Sequence, residues 1–146
     1  MHFRIISIGK PSLPWARQAV EDYLSRLKRM CQTEWIIVKE GAAEKVTGQI
    51  LEASAGYLRV VLDERGRSMR SIELAEWLGK LEMEGTKRTA FLIGGAAGHS
   101  EEMRQAADHV WSLSSLTLQH EMALALLLEQ LYRARAIQGG LPYHRE

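Results

Sequence analysis

Thr89-Ala90-Phe91-Leu92-Ile93-Gly94-Gly95-Ala96-Ala97-Gly98 is the stretch that decides the fold. Thr89 to Ile93 is a short, mostly apolar run and reads as a strand. The glycine pair stops it. Ser100 then caps a short helix, and Glu101 and Glu102 favour that helix's positive end. Strand, glycine turn and helix in this order form one unit of an alternating α/β chain. The same alternation extends both ways. Upstream, Ser71 to Met83 is helical, with Leu74, Leu78 and Leu81 on one face. Leu58 to Leu62 reads as a strand ended by the polar run Asp63 to Ser68. Residues 43 to 55 form a weaker helix, and Glu34 to Val38 a strand. Ser12 to Arg29 is a helix with Pro14 in its first turn, and Val20, Tyr23, Leu24 and Leu27 follow its 3.6 period. Phe3 to Ile8 is the first strand. Downstream, Val110 to Leu113 is the fifth strand and Glu121 to Ile137 the last helix.

Five strands alternating with helices give an α/β fold: a mostly parallel sheet with helices on both faces. Parallel neighbours need crossover connections, and the helices supply them. The chain has 146 residues, which fits one domain spanning 1–146 and is too few for two independent cores. Hydrophobic residues are 46% and charged residues 25%, which excludes an intrinsically disordered chain. The net charge is +1, so a generic polyanion binder is excluded. Binding to nucleic acid then requires a local patch, a dimer groove or a shaped site. The single cysteine, Cys31, excludes an internal disulfide framework and fits a reducing cytoplasm. No apolar run is long enough to span a membrane, and the N-terminus lacks the apolar core of a signal peptide. The expectation is a cytoplasmic protein with flexible ends only near Gly41 and from Gly139 onward.

Open parallel sheets bind ligands at the carboxyl ends of their strands. That directs attention to residues 63–68, 94–99 and 114–119. Gly94 to Gly98 lets backbone approach a ligand, or is simply a turn that needs glycine. It is no dinucleotide fingerprint, because Ile93 stands where a glycine is required and no ribose-binding carboxylate follows. Ser112, Ser114, Ser115 and Thr117 interleave with Leu113, Leu116 and Leu118. This is either a folded-in loop offering backbone groups to a ligand or a strand whose hydroxyls are satisfied by neighbours. No nucleophile elbow surrounds any of these serines. The five histidines lack metal-site spacing, so no metal is expected. Three basic groups (Arg65, Arg67 and Arg70; Arg26, Lys28 and Arg29; Arg133 and Arg135) fit phosphate contacts, solvated loops or helix-dipole complements. Met122 to Leu128 is apolar without a break, so the last helix is either at a subunit interface or central to the core. The tail Tyr143-His144-Arg145 combines a stacking ring, a titratable imidazole and a guanidinium, or frays as ends do.

Several motifs together resemble a known family. They are Ile8-Gly9-Lys10, Leu62-Asp63-Glu64-Arg65-Gly66 and Leu92 to Gly98. Further on come Ser112-Leu113-Ser114-x-Leu116-Thr117-x-x-His120, Glu129-Gln130-Leu131-Tyr132-Arg133-Ala134 and Pro142-Tyr143-His144-Arg145. In order and spacing they resemble the bacterial large-subunit ribosomal RNA methyltransferase H family, of the SPOUT superfamily, over the full length. The resemblance implies a C-terminal trefoil knot, a rare exception to unknotted topology. It implies a homodimer and S-adenosyl-L-methionine as cofactor. It implies a cofactor pocket of Leu62, Gly94, Gly95, Ser114, Ser115, Leu116, Thr117, Leu118 and Gln119. It implies methylation of N3 of a pseudouridine in 23S rRNA on the assembled 70S ribosome. Tyr143, His144 and Arg145 are the expected catalytic residues. On that expectation the tail of one subunit reaches over the pocket of the other. Tyr143 or His144 then orients the base or takes its proton, and Arg145 holds phosphate. One position departs: the family's pattern carries arginine where Leu124 stands. Two other readings stand beside this one. A nucleotide-cofactor enzyme such as a dehydrogenase is opposed by the missing ribose carboxylate. A catalytically silent, dimeric ribosome-binding protein has only Leu124 as its hint.

Overall fold

The computed structural model describes residues 1–145 of the chain; Glu146 lies outside them. The elements run β1 (His2–Ile8), α1 (Pro14–Lys28), β2 (Gln32–Val38), α2 (Ala43–Ala53), β3 (Leu58–Ser68), α3 (Ser71–Met83), β4 (Arg88–Ile93), α4 (Glu101–Ala106), β5 (His109–Ser112) and α5 (His120–Gln138). The sheet order is β2-β1-β4-β3-β5, and every neighbouring pair is parallel. β4 lies at the centre: Phe91 is registered against Ile5 of β1 and Val60 of β3. Its residues Thr89 to Ile93 are all buried, which is why that run is apolar on both faces.

The two sides of the sheet carry separate cores. Phe3, Ile5, Val60, Phe91 and Ile93 pack with Val20, Leu27, Leu78, Leu127 and Leu131, so α1, α3 and α5 cover one face. Ile6, Val61, Ala90 and Leu92 pack with Ile50 and Met103, so α2 and α4 cover the other. Each such buried side chain, Ala90 apart, contributes about 1.5–3 kcal/mol relative to exposure. Helices on both faces are therefore present as the alternation implies.

The last helix sits between α1 and α3 and is a core helix of the single chain. Leu124, Leu127, Leu128, Leu131 and Ala134 are all buried. Leu124 is part of this packing, at 3% exposure. Met122 and Leu126 stay more than a third exposed, at 37% and 36%.

Among the differences from the sequence reading, three bear on the site and the tail. The run Asp63 to Ser68 does not end the third strand; β3 continues through it to Ser68. Strand pairing uses backbone, so polar side chains do not forbid it. Leu62 and Arg67 are both registered against Trp111, and Ser68 against Ser112, so residues 63–66 form a large bulge beside β5. Leu113 falls outside β5. Residues 139–144 do not hang free. Gly140, at φ 71°, places Leu141 N to donate to Ala136 O at 2.9 Å and its own N to Ile137 O at 3.1 Å. This paired reversal ends α5 and turns the tail back along it.

α1 has no capping side chain of its own and no acidic residue in its first turn. Glu121, 5% exposed at the start of α5, supplies both. Its Oε1 accepts from Ser12 N at 2.6 Å and Leu13 N at 3.0 Å. Burial opposes ionisation of this carboxyl, but the hydrogen bonds from Leu13 and Ser12 outweigh it and hold its pKa below the usual value. A depressed carboxyl stabilises the fold above its unfolded pKa, and that stability is lost as pH falls through the folded value. Glu121→Gln is therefore expected to lose about 1–3 kcal/mol at pH 7. Urea titrations should show the difference from the native chain shrinking below about pH 4. A constant difference across that range would remove the charge from the account.

Candidate functional site

A cavity of about 300 Å³ opens at the carboxyl ends of β4 and β5 and at the bulge of β3. Three segments wall it: 62–65, 93–99 and 113–118, with His120 and Ala123 of α5 closing one side. These are the strand-end segments that the sequence singles out. Leu62, Gly94, Gly95, Ser114, Leu116, Thr117 and Leu118 all line it. Ser115 and Gln119 do not. Gln119 instead caps α5, its Oε1 accepting from Glu121 N at 2.9 Å and Met122 N at 3.0 Å. The glycine stretch is a tight turn as well as a wall, with Gly98 N donating to Gly95 O at 2.9 Å.

The ionisable lining went unassigned as cofactor contacts in the sequence. Asp63 receives Arg65 Nε at 3.0 Å and Nη2 at 2.9 Å, a two-pronged pair. The Arg65 guanidinium, helped by its backbone N–H and by Arg104, holds the Asp63 carboxyl down to about 2. Thr117 Oγ1 donates to Glu64 Oε2 at 2.5 Å and ties the bulge to the opposite wall. His99 is 8% exposed. Its Nε2 lies 2.8 Å from Leu92 O. A carbonyl only accepts, so Nε2 carries the proton. Burial pushes the His99 pKa down and keeps the ring neutral. Its Nδ1 is a buried acceptor with no hydrogen-bond partner among the described residues. The signal for Asp63 and Arg65 was their place just after an apolar strand. His99 gave none, because a lone histidine is more often a core residue.

The tail forms a second cluster. Tyr143 donates to Glu129 Oε1 at 3.0 Å, and its oxygen lies 3.0 Å from Tyr23 Oη. Its ring meets Tyr132 edge-on, centroids 4.7 Å apart. Burial, the Tyr23 contact and the Glu129 charge raise the Tyr143 pKa above the ordinary phenol range. Arg133 binds Glu129 Oε1 through Nη2 at 2.6 Å and Nε at 3.1 Å. Its Nη1 lies 3.1 Å from His144 Nδ1. None of Tyr143, His144 and Arg145 lines the cavity of its own chain. Glu129 and Arg133 stand nine and thirteen residues beyond His120, about 14 and 20 Å along the helix. Several of the basic residues considered for phosphate are already paired: Arg26 with Asp22, Arg65 with Asp63, Arg133 with Glu129 and Arg135 with Glu82.

Comparison with known proteins follows this geometry. The chain is 45% identical over 145 residues to a Thermus thermophilus protein named ribosomal RNA large subunit methyltransferase H, covering 99% of both. Its fold is similar to a probable methyltransferase from Bordetella pertussis, with a TM-score of 0.61 and 19% identity over 92% of this chain and 94% of that one. It is also similar to the SpoU methyltransferase AviRb from Streptomyces viridochromogenes, solved with the cofactor AdoMet. There the TM-score is 0.51 and the identity 17%, over 92% of this chain and 58% of that one. The family model for predicted SPOUT methyltransferases matches residues 1–144, and the chain belongs to the SPOUT methyltransferase family.

Proposed function

We propose that this protein uses S-adenosylmethionine to methylate N3 of a pseudouridine in 23S rRNA, on assembled 70S ribosomes in the cytoplasm. The observation that carries the reading is the strand-end cavity in a full-length relative of an rRNA large-subunit methyltransferase. The cavity suits the cofactor chemically. His99 lines the cavity, and its Nδ1 is an acceptor without a partner among the described residues. Asp63 and Glu64 line the cavity and can face a sulfonium, while Arg65 and Arg104 balance their charge. The bound cofactor supplies an already activated methyl group, so the chain's own work is mainly positioning. The backbone of 94–98 and 113–118 holds the adenosyl portion. The target nitrogen must also lose its proton.

The site is completed by a second copy. Tail residues that lie far along α5 do not serve their own cavity, and in a homodimer they reach the partner's. Trp15, Met122 and Leu126 leave an exposed apolar set at the α1–α5 end that suits such an interface. A C-terminal trefoil knot belongs to this reading; residues 63–66 bulge beside β5, and Glu64 accepts from Thr117 of the segment that follows β5. The near-neutral charge suits a large structured target better than naked RNA.

Labelled methyl transfer to 70S ribosomes lacking the modification tests the reading. Label is expected in 23S rRNA alone, and only when the pseudouridine is present. No label from folded, dimeric protein would favour a silent ribosome binder; Leu124 is core packing, so its identity says nothing for that reading.

A further inference from the structure

The tail cluster has a donor and acceptor pattern that fixes what its side chains can do. A guanidinium has five N–H donors and no acceptor. The Arg133 Nη1 contact at 3.1 Å therefore requires His144 Nδ1 to accept. In the neutral ring the proton then sits on Nε2. That atom is buried and has no hydrogen-bond partner among the described residues. Arg133 cannot swing away freely. Its Nε and Nη2 are both committed to Glu129 Oε1, and its Cζ stacks 4.7 Å from the Tyr143 ring. Glu129 is itself held, with Gln130 Nε2 donating to its Oε2 at 2.8 Å. A carboxylate only accepts, so the Tyr143 hydroxyl proton is spent on Glu129 and the hydroxyl is not a free base.

We propose that Glu129 and Arg133 are positioning residues that hold His144 in its Nε2–H tautomer. Whatever covers Nε2–H in the single chain must move aside for the substrate RNA, and the tail then offers that RNA a hydrogen-bond donor and not a proton acceptor. This rests on the proposed reach of the tail to a partner's cavity. The atom met by Nε2–H is an oxygen of the RNA. One source is a carbonyl of the acceptor base, where charge grows as its nitrogen loses a proton. The other is a phosphate, which only anchors. Arginine is required at 133 because a lysine ammonium cannot grip Glu129 with two donors and point a third along the same plane.

Two measurements test this. The first is a long-range proton–nitrogen correlation spectrum of the imidazoles in the full-length protein at pH 8.5, where an ordinary histidine is neutral. His144 should show a single Nε2–H tautomer, and Arg133→Met should give a mixture. An Nδ1–H ring in the native protein, or no change in Arg133→Met, overturns the proposal. The second is methyl transfer by His144→Gln and His144→Ala. Glutamine keeps one donor and one acceptor, so it should stay within about tenfold of native, while alanine falls at least about 100-fold. Glutamine as inactive as alanine makes His144 a base and also overturns the proposal. In Arg133→Met a fall in kcat at constant KM identifies the base carbonyl, and a rise in KM at constant kcat the phosphate. The tautomer is read without any substrate. Failure of the native protein to transfer methyl therefore condemns the methyltransferase reading and not the tautomer.

Discussion

Gly66→Ala is expected to cost about 3 kcal/mol or more and to open the cavity wall. A Cβ built there falls 2.6 Å from Val110 O and 2.7 Å from both Trp111 N and Trp111 C. All three are backbone atoms of β5, the strand against which the bulge is pressed, so no side chain can rotate away. Overpacking of an ordinary core position typically costs about 1–3 kcal/mol. Here relief requires separating β3 from β5. Urea titration reads the loss of stability, and calorimetry with S-adenosylmethionine reads the cavity. Gly48→Ala is the internal control. It lies in α2 with nothing within 4 Å of its added carbon. It should be neutral or stabilising by up to about 1 kcal/mol. Equal stability of the two variants would show that the bulge yields easily.

Removing residues 143–146 should reduce methyl transfer at least about 100-fold, equivalent to about 2.7 kcal/mol of transition-state stabilisation. S-adenosylmethionine binding should be unchanged. The separation follows from placement. The cavity is walled by 62–65, 93–99 and 113–118, while Tyr143 and His144 contact Tyr23, Glu129 and Arg133. The two cores contain no residue beyond Ile137, so the shortened chain should fold. Calorimetry and the ribosome assay on one preparation decide the matter. Intact transfer removes the tail from the reaction. Loss of cofactor binding as well would show that the tail shapes the cavity.

Much of this was legible in the sequence, for a simple reason. β1, β4 and the first half of β3 are short apolar runs, and α1 and α3 carry a helical period, so side-chain pattern and backbone agree. Legibility failed where structure depends on backbone pairing between distant segments. Asp63 to Ser68 is polar and still extends β3, because Arg67 and Ser68 pair with Trp111 and Ser112. The last helix could be read two ways because an all-round apolar helix looks the same between α1 and α3 as at an interface. Strand-end logic found most of the cavity wall, since parallel sheets put their ligand sites there. Gln119 entered the expected pocket through the family resemblance; in the structure it is exposed and its side chain caps α5. The packed tail was hidden by the ordinary tendency of chain ends to fray.

The Glu121 contact has a consequence for biosynthesis. Ser12 and Glu121 are 109 positions apart. The first helix emerges from a ribosome early, but its exposed N–H groups have no carboxylate until the last helix emerges. β1 meets the same delay, because one of its neighbours, β4, begins only at Arg88. The nascent chain therefore stays unconsolidated through most of its synthesis and closes late, in a folding reaction dominated by distant contacts and correspondingly slow.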